Sequence, residues 1–344
     1  MHTTIITRTT LALYTAMTIA NSVLAQNVTP NWNSSAGTAY VSNGGDASGN
    51  GGSLSLLDLA NLHVRETLPL GGAPVGVVLN RSRNRIYVAN SASNFAWVVS
   101  ADNLRVLAKA ATVASPINLA LTPDGAFLYA TSGSSGAVSV TDTETNSLVA
   151  TISIPTQRIL SIAITPDGRL AYATDCCSDN NVTVIDTRTN TVVTQIPLAG
   201  GPSGIAITPD GRFAFVEDLV DTSIIDTHTN QIVDTIPGAG GCGPSVVLTP
   251  DGTRAYVANY CGNTVSVIDT SSQTLVTTLT TNTPIGEAFA AQGGFVLFVN
   301  NNCVAFPCTV PGTVSILKTS DYSLAATATV GLNPQEIVIA PALQ

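Results

Sequence analysis

Six cysteines and a small group of acidic residues are the parts of this sequence whose types could do chemistry. The cysteines are Cys176, Cys177, Cys242, Cys261, Cys303 and Cys308. An even number of cysteines favours disulfide bonds if the chain is exported, and an adjacent Cys176-Cys177 pair would form a strained, reducible one. A redox or metal-thiolate role is the alternative for the same side chains.

Histidine is nearly absent, since only His63 and His228 follow residue 25. Metal sites, haem ligation and Ser-His-Asp triads all depend on placed imidazoles. No glycine-rich phosphate loop precedes a helical pattern either. The sequence therefore disfavours histidine-centred catalysis.

Residues 1–25 have the pattern of a secretory signal peptide. Arg8 precedes an apolar stretch, and Val23-Leu24-Ala25 places small residues where a signal peptidase cleaves. The alternative, a membrane-anchoring helix, is disfavoured because the run is short and interrupted by Thr and Asn. We predict a signal peptide over 1–25, a linker over 26–37, and a secreted or periplasmic protein without membrane insertion.

The charge balance limits the partners that this chain can bind. The formal net charge is −9 at pH 7 and only 10% of the residues are charged. Binding to nucleic acid or to anionic lipid is therefore electrostatically disfavoured. We expect a monomer that binds an unidentified protein or small molecule.

The tetrapeptide Thr-Pro-Asp-Gly recurs at near-constant spacing, over 122–125, 165–168, 208–211 and 249–252. An aromatic residue follows each copy by four positions, and these aromatics are spaced by 43, 43 and 41 residues. Extending the register adds one aromatic downstream and two upstream, which gives seven units: Tyr40, Tyr87, Tyr129, Tyr172, Phe215, Tyr256 and Phe298. Periods near 40 residues are typical of solenoids and propellers.

The fourth unit shows what each repeat contains. The pattern predicts strands over Ile159–Ile164, Leu170–Thr174, Asn181–Ile185 and Thr191–Ile196, joined by turn residues. Four antiparallel strands repeated radially make a β-propeller. Since the first unit, Thr38–Ser42, has no inner strand and the last apolar strand, Glu336–Ala340, has no hairpin partner, we predict that they share one blade. The prediction is an all-β, seven-bladed propeller over 38–344, with Thr-Pro-Asp-Gly as the inner hairpin turn.

Three segments resemble the Tyr-Val-Thr-Asn core of the YVTN family of β-propeller repeats. They are Tyr40-Val41-Ser42-Asn43, Tyr87-Val88-Ala89-Asn90 and Tyr256-Val257-Ala258-Asn259, and the segments 138–143 and 265–270 resemble that family's second signature. The resemblance covers about residues 38–340 and implies an exported or surface-displayed seven-bladed propeller. It implies no single activity, although related propellers occur in quinoprotein and amine-dehydrogenase systems. The second and seventh units depart from it, because they lack the proline turn.

Four aspartates, Asp142, Asp186, Asp226 and Asp269, recur at one point of successive units. A catalytic role would need one or two of them to differ from the rest. Aspartate at a strand end accepts the backbone N–H groups of the following turn. We therefore predict a structural role for all four.

The strand scheme places all six cysteines on one face of the propeller, in the loops between second and third strands and between blades. Stapling of loops by Cys242–Cys261 and Cys303–Cys308 is the simpler interpretation, which leaves the Cys176-Cys177 pair. This cysteine-bearing face also collects the candidate ligand-binding residues, which are Asn118, Arg158, Asp175, Asp179, Glu217, Asp218, Asp221, Glu287 and Glu336.

Glu287 and Glu336 are expected in neighbouring blades near the channel mouth. With the amide oxygen of Asn118 they could hold Ca²⁺, which prefers hard oxygen ligands. A solvated acidic rim is the alternative.

The leading hypothesis is an exported, non-enzymatic scaffold that binds a protein or small ligand through the cysteine-bearing face. One alternative is a lactonase-like, metal-assisted hydrolase or lyase using Glu287, Glu336 and Asn118, with Arg158 steadying an anionic group. Another is a propeller subunit of a quinoprotein-like redox system.

Overall fold

The structure, a computed structural model, is all-β. It describes residues 37–45, 51–175, 180–241, 243, 245–281, 284–289, 294–301 and 309–340. These residues contain 28 strands and one 3₁₀ turn, Tyr260–Gly262. None of them forms a helix with the length and apolarity needed to span a membrane. The strands form seven four-stranded antiparallel sheets, the blades, which confirms the predicted propeller.

The blades follow the chain in order. Blade 1 contains β1 Thr38–Asn43, β2 Ser53–Asp58 and β3 His63–Pro69, and blade 2 contains β4 Pro74–Leu79, β5 Arg85–Asn90, β6 Phe95–Ser100 and β7 Val106–Ala111. Blade 3 contains β8 Pro116–Leu121, β9 Phe127–Ser132, β10 Ala137–Asp142 and β11 Leu148–Ser153, and blade 4 contains β12 Ile159–Ile164, β13 Leu170–Asp175, β14 Asn181–Asp186 and β15 Thr191–Pro197. Blade 5 contains β16 Pro202–Ile207, β17 Phe213–Asp218, β18 Asp221–Asp226 and β19 Gln231–Ile236, and blade 6 contains β20 Val246–Leu248, β21 Arg254–Asn259, β22 Thr264–Asp269 and β23 Thr274–Thr280. Blade 7 contains β24 Pro284–Phe289, β25 Phe295–Asn300, β26 Pro311–Lys318 and β27 Leu324–Leu332.

The last strand, β28 Pro334–Ala340, is the inner strand of blade 1. It pairs antiparallel with β1, with Tyr40 opposite Val338 and Val41 opposite Ile337. The two ends of the propeller sequence therefore share one sheet, as predicted. Closure therefore gives blade 1 the inner strand that its N-terminal segment lacks, so it has four strands like the other blades.

The Thr-Pro-Asp-Gly segments join the inner strand of a blade to its second strand, as predicted. In blade 4, Thr165 Oγ1 donates to Asp167 Oδ1 at 2.6 Å and accepts from the Leu170 N–H at 3.1 Å. Gly168 has a φ of 73°, a conformation that costs glycine little and other residues much. The recurring tetrapeptide is thus a hairpin turn of the scaffold.

The recurring aromatic is the third residue of each second strand, and six of the seven predicted positions are right. Tyr172, for example, is fully buried against the following blade. In blade 7 the prediction is wrong by one residue, because the third residue of β25 is Leu297. Leu297 packs toward blade 1, whereas Phe298 packs toward Tyr256 of blade 6. Successive strand residues face opposite ways, so the one-residue slip reverses the face that Phe298 presents.

The four repeated aspartates cap the turn between the third and outer strands, as predicted. Asp186 Oδ1 accepts from the N–H groups of Arg188 at 2.8 Å and Thr189 at 3.1 Å. Asp142, Asp226 and Asp269 accept equivalent pairs. Because the donors are backbone groups in every copy, the arrangement needs no functional explanation.

The two ends of the strands define two faces of the disc. On the turn face, the turns after inner strands meet those after third strands, as in the bond from Thr187 N–H to Arg169 O at 3.0 Å. On the loop face, the loops after second strands meet the connections between blades, as in the bond from Cys261 N–H to Gly241 O at 3.0 Å.

Candidate functional site

Most of the predicted site residues that the structure describes lie at the loop face. Asp175, Asp218 and Asp221 lie at strand ends there, and Arg158 is exposed in the connection between blades 3 and 4. Five of the six cysteines and one acid fall outside the described residues: Cys176, Cys177, Cys242, Cys303, Cys308 and Asp179. Cys261 lies in the 3₁₀ turn of blade 6 and is not a free thiol. The predicted cysteine pairings stay predictions.

Asn118 is held by the neighbouring blade. Its Oδ1 accepts from the Ile162 N–H on the inner strand of blade 4 at 3.1 Å. The backbone of Asn118 bonds to Thr131 Oγ1 within its own blade. The amide oxygen that the calcium hypothesis requires is thus already used between two blades.

Glu287 and Glu336 lie on the inner strands of neighbouring blades, 7 and 1, but they do not occupy equivalent positions. Glu336 pairs with Ser42, the penultimate residue of the second strand of blade 1. In blade 7 the corresponding residue is Gly286, which pairs with Val299, whereas Glu287 lies one position further and pairs with Phe298. The Glu287 side chain lies outside the described residues. Within those residues, no group of three His, Cys, Asp or Glu side chains has metal-binding geometry.

Glu336 is a partly buried acid on the innermost strand of blade 1. Its backbone N–H donates to Ser42 Oγ at 3.2 Å, and no ion pair to its carboxylate occurs among the described residues. Removal of the carboxyl group from water raises the pKa of Glu336 to about 8. A positively charged group that reached this carboxylate would restore its ordinary acidity.

Glu217 is the most deeply buried acid of the loop face, with no exposed surface. Its Oε1 accepts from the N–H groups of Gly241 and Gly243, both at 2.9 Å, in the connection between blades 5 and 6. Its Oε2 contacts Ser203 Oγ. Burial raises the pKa of Glu217 to about 7, against the lowering effect of the backbone donors.

The hairpin between β17 and β18 projects an apolar tip from the loop face. Leu219 and Val220 are 50% and 61% exposed, and they stand between Asp218 and Asp221. Leu219 has a φ of 38°, an unfavourable conformation for a residue with a branched side chain. The sequence analysis missed this tip, although its signal was present, because apolar residues occupy a two-residue turn that favours Gly or Asn.

Asp218 and Asp175 are the buried ends of their second strands. Burial raises the pKa of Asp218, and Asp221 adds a repulsive charge. Asp175 Oδ1 accepts from the Asn181 N–H at 3.2 Å across its loop. These two acids are therefore buried supports of the loops. Asp221 is more accessible, and its Oδ1 accepts a hydrogen bond from the Gly238 N–H.

Charge is divided unevenly between the two faces. The described acids of the loop face are Asp175, Glu217, Asp218, Asp221 and Glu336; among the described Lys and Arg residues, Arg158 lies in a connection there and Lys109 is the third residue from the loop-face end of β7. The basic residues at the turn-face ends of strands, or in the turns, are Arg65, Arg81, Arg83, Arg85, Arg105, Arg169, Arg188, Arg212, Arg254 and Lys318. They are interspersed with the capping aspartates. Because burial raises the pKa values of Glu217 and Glu336 to about 7 and about 8, the negative charge of the loop face at neutral pH comes chiefly from its aspartates, while the turn face is mixed.

Two inter-blade grooves open on the turn face, opposite the predicted site. One, of about 720 Å³, lies between blades 5 and 6 and has Phe213 and Val233 among its lining residues. The other, of about 540 Å³, lies between blades 4 and 5 and has Arg169 and Arg188 at its margin. Both are bounded by Thr-Pro-Asp-Gly turns, so the repeated scaffold itself accounts for them.

No protein-family model matches this chain, and no curated protein matches it in sequence. Several solved structures do match it in their three-dimensional fold. Hydrazine synthase of Kuenenia stuttgartiensis has a TM-score of 0.68 at 17% identity, over 88% of this chain and 99% of that one. A functionally unknown protein of Desulfotomaculum acetoxidans DSM 771 has a TM-score of 0.73 at 19% identity, over 89% and 99%. Dihydro-heme d1 dehydrogenase NirN, in complex with DHE, has a TM-score of 0.65 at 15% identity, over 91% and 77%. At these identities the likeness establishes the fold alone: the chain is a seven-bladed β-propeller.

Proposed function

We propose that this chain is an exported, non-catalytic binding propeller that takes a positively charged protein partner on its loop face. The observation that carries the proposal is the group of aspartates Asp175, Asp218 and Asp221 on that face, the last two beside the exposed tip Leu219-Val220, with one described base, Arg158, in its loops and connections. Complementary charge raises the rate of encounter and selects among partners. The signal-like residues 1–25 support export to the outside of the cell or to the periplasm.

The apolar tip Leu219-Val220 supports a protein partner rather than a small ion. Exposed apolar side chains surrounded by polar ones are the usual centre of a protein interface. Strained backbone conformations also concentrate at binding sites. Asp218 and Asp221 flank the tip, so apolar contact and charge would act at one place.

The sign of the charge effect is testable with an oligo-lysine peptide as the probe, measured by surface plasmon resonance. Asp221→Asn should weaken binding and Arg158→Gln should strengthen it, and binding by the wild type should decline as NaCl rises from low to high concentration. Asp186→Asn, on the turn face, is the matched control and should leave binding unchanged. Equal effects of the Asp221 and Asp186 substitutions, or binding insensitive to salt, would contradict the proposal.

The partner itself can be sought by crosslinking the exported protein in its host culture. A Leu219→Ser/Val220→Ser variant should lose the crosslinked species that the wild type forms. A Val192→Ser/Val193→Ser variant changes two similarly exposed residues on the outer strand of blade 4 and should retain it. If both variants keep the species, the tip is not the contact.

We also infer that the repeats are of the YVTN type. The Tyr-Val-x-Asn segments of β1, β5 and β21 support this, because each places its Tyr at the buried third position and its Asn at the strand end. In blade 7 the corresponding run is Leu297-Phe298-Val299-Asn300, which departs from the motif.

A redox-related propeller is the second candidate. The fold likeness to hydrazine synthase and to the NirN dehydrogenase favours it. His63 and His228 both lie toward the turn-face ends of strands, so in this reading the chain would offer a docking surface to a redox partner. A visible absorption band that co-purifies with the chain, and that follows the loop-face variants, would support this candidate.

A further inference from the structure

Glu217 differs from the equivalent residues of the other blades in its side-chain type. It is the penultimate residue of the second strand of blade 5, facing blade 6. The same position holds Ser42, Ala89, Thr131, Thr174, Ala258 and Val299 in the other blades. A carboxyl group thus stands where every other blade has a small, hydroxylic or apolar side chain.

The hydrogen-bond network around Glu217 has a place for a proton on the carboxyl group. Ser203 Oγ lies against Glu217 Oε2 and also lies 2.6 Å from the backbone oxygen of Gly243. A serine hydroxyl has one hydrogen, so it cannot donate to both oxygens. If Glu217 is protonated at Oε2, it donates to Ser203, Ser203 donates to Gly243 O, and Oε1 still accepts both backbone N–H groups.

The surroundings offer no opposite charge to an ionised Glu217. Asp218 is the titratable group whose charge acts on it, and Asp221 acts in turn on Asp218, so both charged neighbours on β17 and β18 are acids. The described residues that pack on it from β16 and from the following connection are uncharged, namely Ser203, Gly204, Gly241 and Gly243. Ionisation would therefore bury a charge that only the backbone N–H groups of Gly204, Gly241 and Gly243 compensate, and would leave one of the two contacts of Ser203 without a hydrogen.

We propose that Glu217 is a proton-dependent latch that holds the connection between blades 5 and 6 against blade 5. When protonated, it fixes Gly241 and Gly243. When ionised, it releases them. The latched connection supports two parts of the loop face, since Gly240 N–H donates to Val220 O at 3.1 Å and Gly241 O accepts from Cys261 N–H at 3.0 Å. The effect of the latch on partner binding rests on the proposed function. The latch itself would operate in the free protein, without a partner.

Amide hydrogen exchange on the free protein tests the latch without any partner. After correction for the intrinsic pH dependence of exchange, protection of the Gly241 and Gly243 amides should fall about tenfold between pH 6 and pH 8. Glu217→Gln replaces the donating hydroxyl by a permanent N–H donor. In this variant the protection of the Gly241 and Gly243 amides should therefore stay constant between pH 6 and pH 8. The Ser91 amide, bound to Ala73 O in the equivalent loop of blade 2, is the internal control.

Constant protection in the wild type, or the same fall in the Glu217→Gln variant, would overturn the latch. If that variant fails to fold, carbon NMR of the wild-type Glu217 carboxyl group decides instead. A titration midpoint near neutral pH supports the latch, and one at the ordinary value for glutamate overturns it. If the wild type does not bind oligo-lysine but its Gly241 and Gly243 amides show the expected pH-dependent protection, the proposed function is contradicted and the latch is supported.

Discussion

The phenol of Tyr172 in blade 4 donates a hydrogen bond of 2.6 Å to the side-chain oxygen of Asn230 in blade 5. Tyr129 and Asn190 repeat the bond one blade earlier, at 2.7 Å. Asn230 and Asn190 both have a φ of 55°, in the left-handed region that Asn tolerates well. The buried aromatic of one blade therefore anchors the turn before the outer strand of the next.

Tyr172→Phe should destabilise the protein by about 1 kcal/mol, because it leaves a half-buried amide oxygen without its donor while the ring still packs. Chemical denaturation measures the change. Tyr87→Phe is the control, since the Tyr87 hydroxyl makes no hydrogen bond among the described residues, and it should cost a few tenths of a kcal/mol at most. Equal losses in the two variants would show that the inter-blade bond contributes nothing.

Asp269 is expected to stabilise its turn only while it is ionised. Its carboxylate accepts from Ser271 Oγ at 2.6 Å and pairs with Arg254 Nη1 at 2.6 Å. These hydrogen bonds, with those from the turn backbone, hold the pKa of Asp269 well below its usual range. A lowered folded-state pKa gives stability that is present above the unfolded value, near 4, and is lost as the pH falls toward the folded value.

Asp269→Ala should therefore lower the melting temperature at pH 7 and lower it less as the pH falls below about 4. Asp269→Asn keeps an acceptor for the backbone and should lose less. Calorimetric melts across pH 2–7 provide the measurement. A deficit that is independent of pH would mean that packing, not charge, carries the effect.

The contribution of Glu336 to stability should depend on pH in the opposite direction. Its pKa is raised to about 8, chiefly because the carboxyl group is removed from water. A raised folded-state pKa gives stability that is complete below the unfolded value, near 4.5, and is lost as the pH rises through the folded value. Glu336→Gln cannot ionise, so its melting temperature relative to wild type should rise between pH 5 and pH 9.

Asp321→Asn is the control for Glu336→Gln. Asp321 is exposed, and its hydrogen bonds to Ser323 lower its pKa, so its removal should not become more favourable at high pH. A melting temperature for Glu336→Gln that tracks wild type at every pH would mean that the carboxylate finds a counter-ion.

The ring could be predicted from the sequence because its signals are local and repeated. The predicted strand Ile159–Ile164 coincides with β12, and Leu170–Thr174 differs from β13 by one residue. The register failed in blade 7, where Phe295-Val296-Leu297-Phe298-Val299 is apolar throughout and lacks the alternation that fixes a face.

The loop-face chemistry could be predicted only in part. Glu217 was recognised as a loop-face acid, but its partners are backbone N–H groups of the next connection and a serine of the neighbouring strand. Backbone donors carry no sequence signature, so the burial and protonation of Glu217 follow only from the structure. The same holds for Asn118, whose acceptor role is set by the neighbouring blade.

Leu219 offers a test that separates a binding residue from a structural one. It is 50% exposed and has a φ of 38°, whereas Leu104 has a φ of 48° and is 1% exposed. Glycine removes the backbone strain at either position, but at Leu104 it also empties a core site. Leu219→Gly should therefore raise the melting temperature, with a gain of about 1 kcal/mol, and Leu104→Gly should lower stability by about 2–5 kcal/mol.

If Leu219 serves recognition, the stabilised Leu219→Gly variant should also lose the crosslinked partner that the wild type forms. A residue kept for folding would show the reverse, with stability and partner binding falling together. Denaturation and crosslinking on the same preparations distinguish the two outcomes. If Leu219→Gly increases stability and abolishes crosslinking, contact with the partner explains why a strained leucine occupies this position.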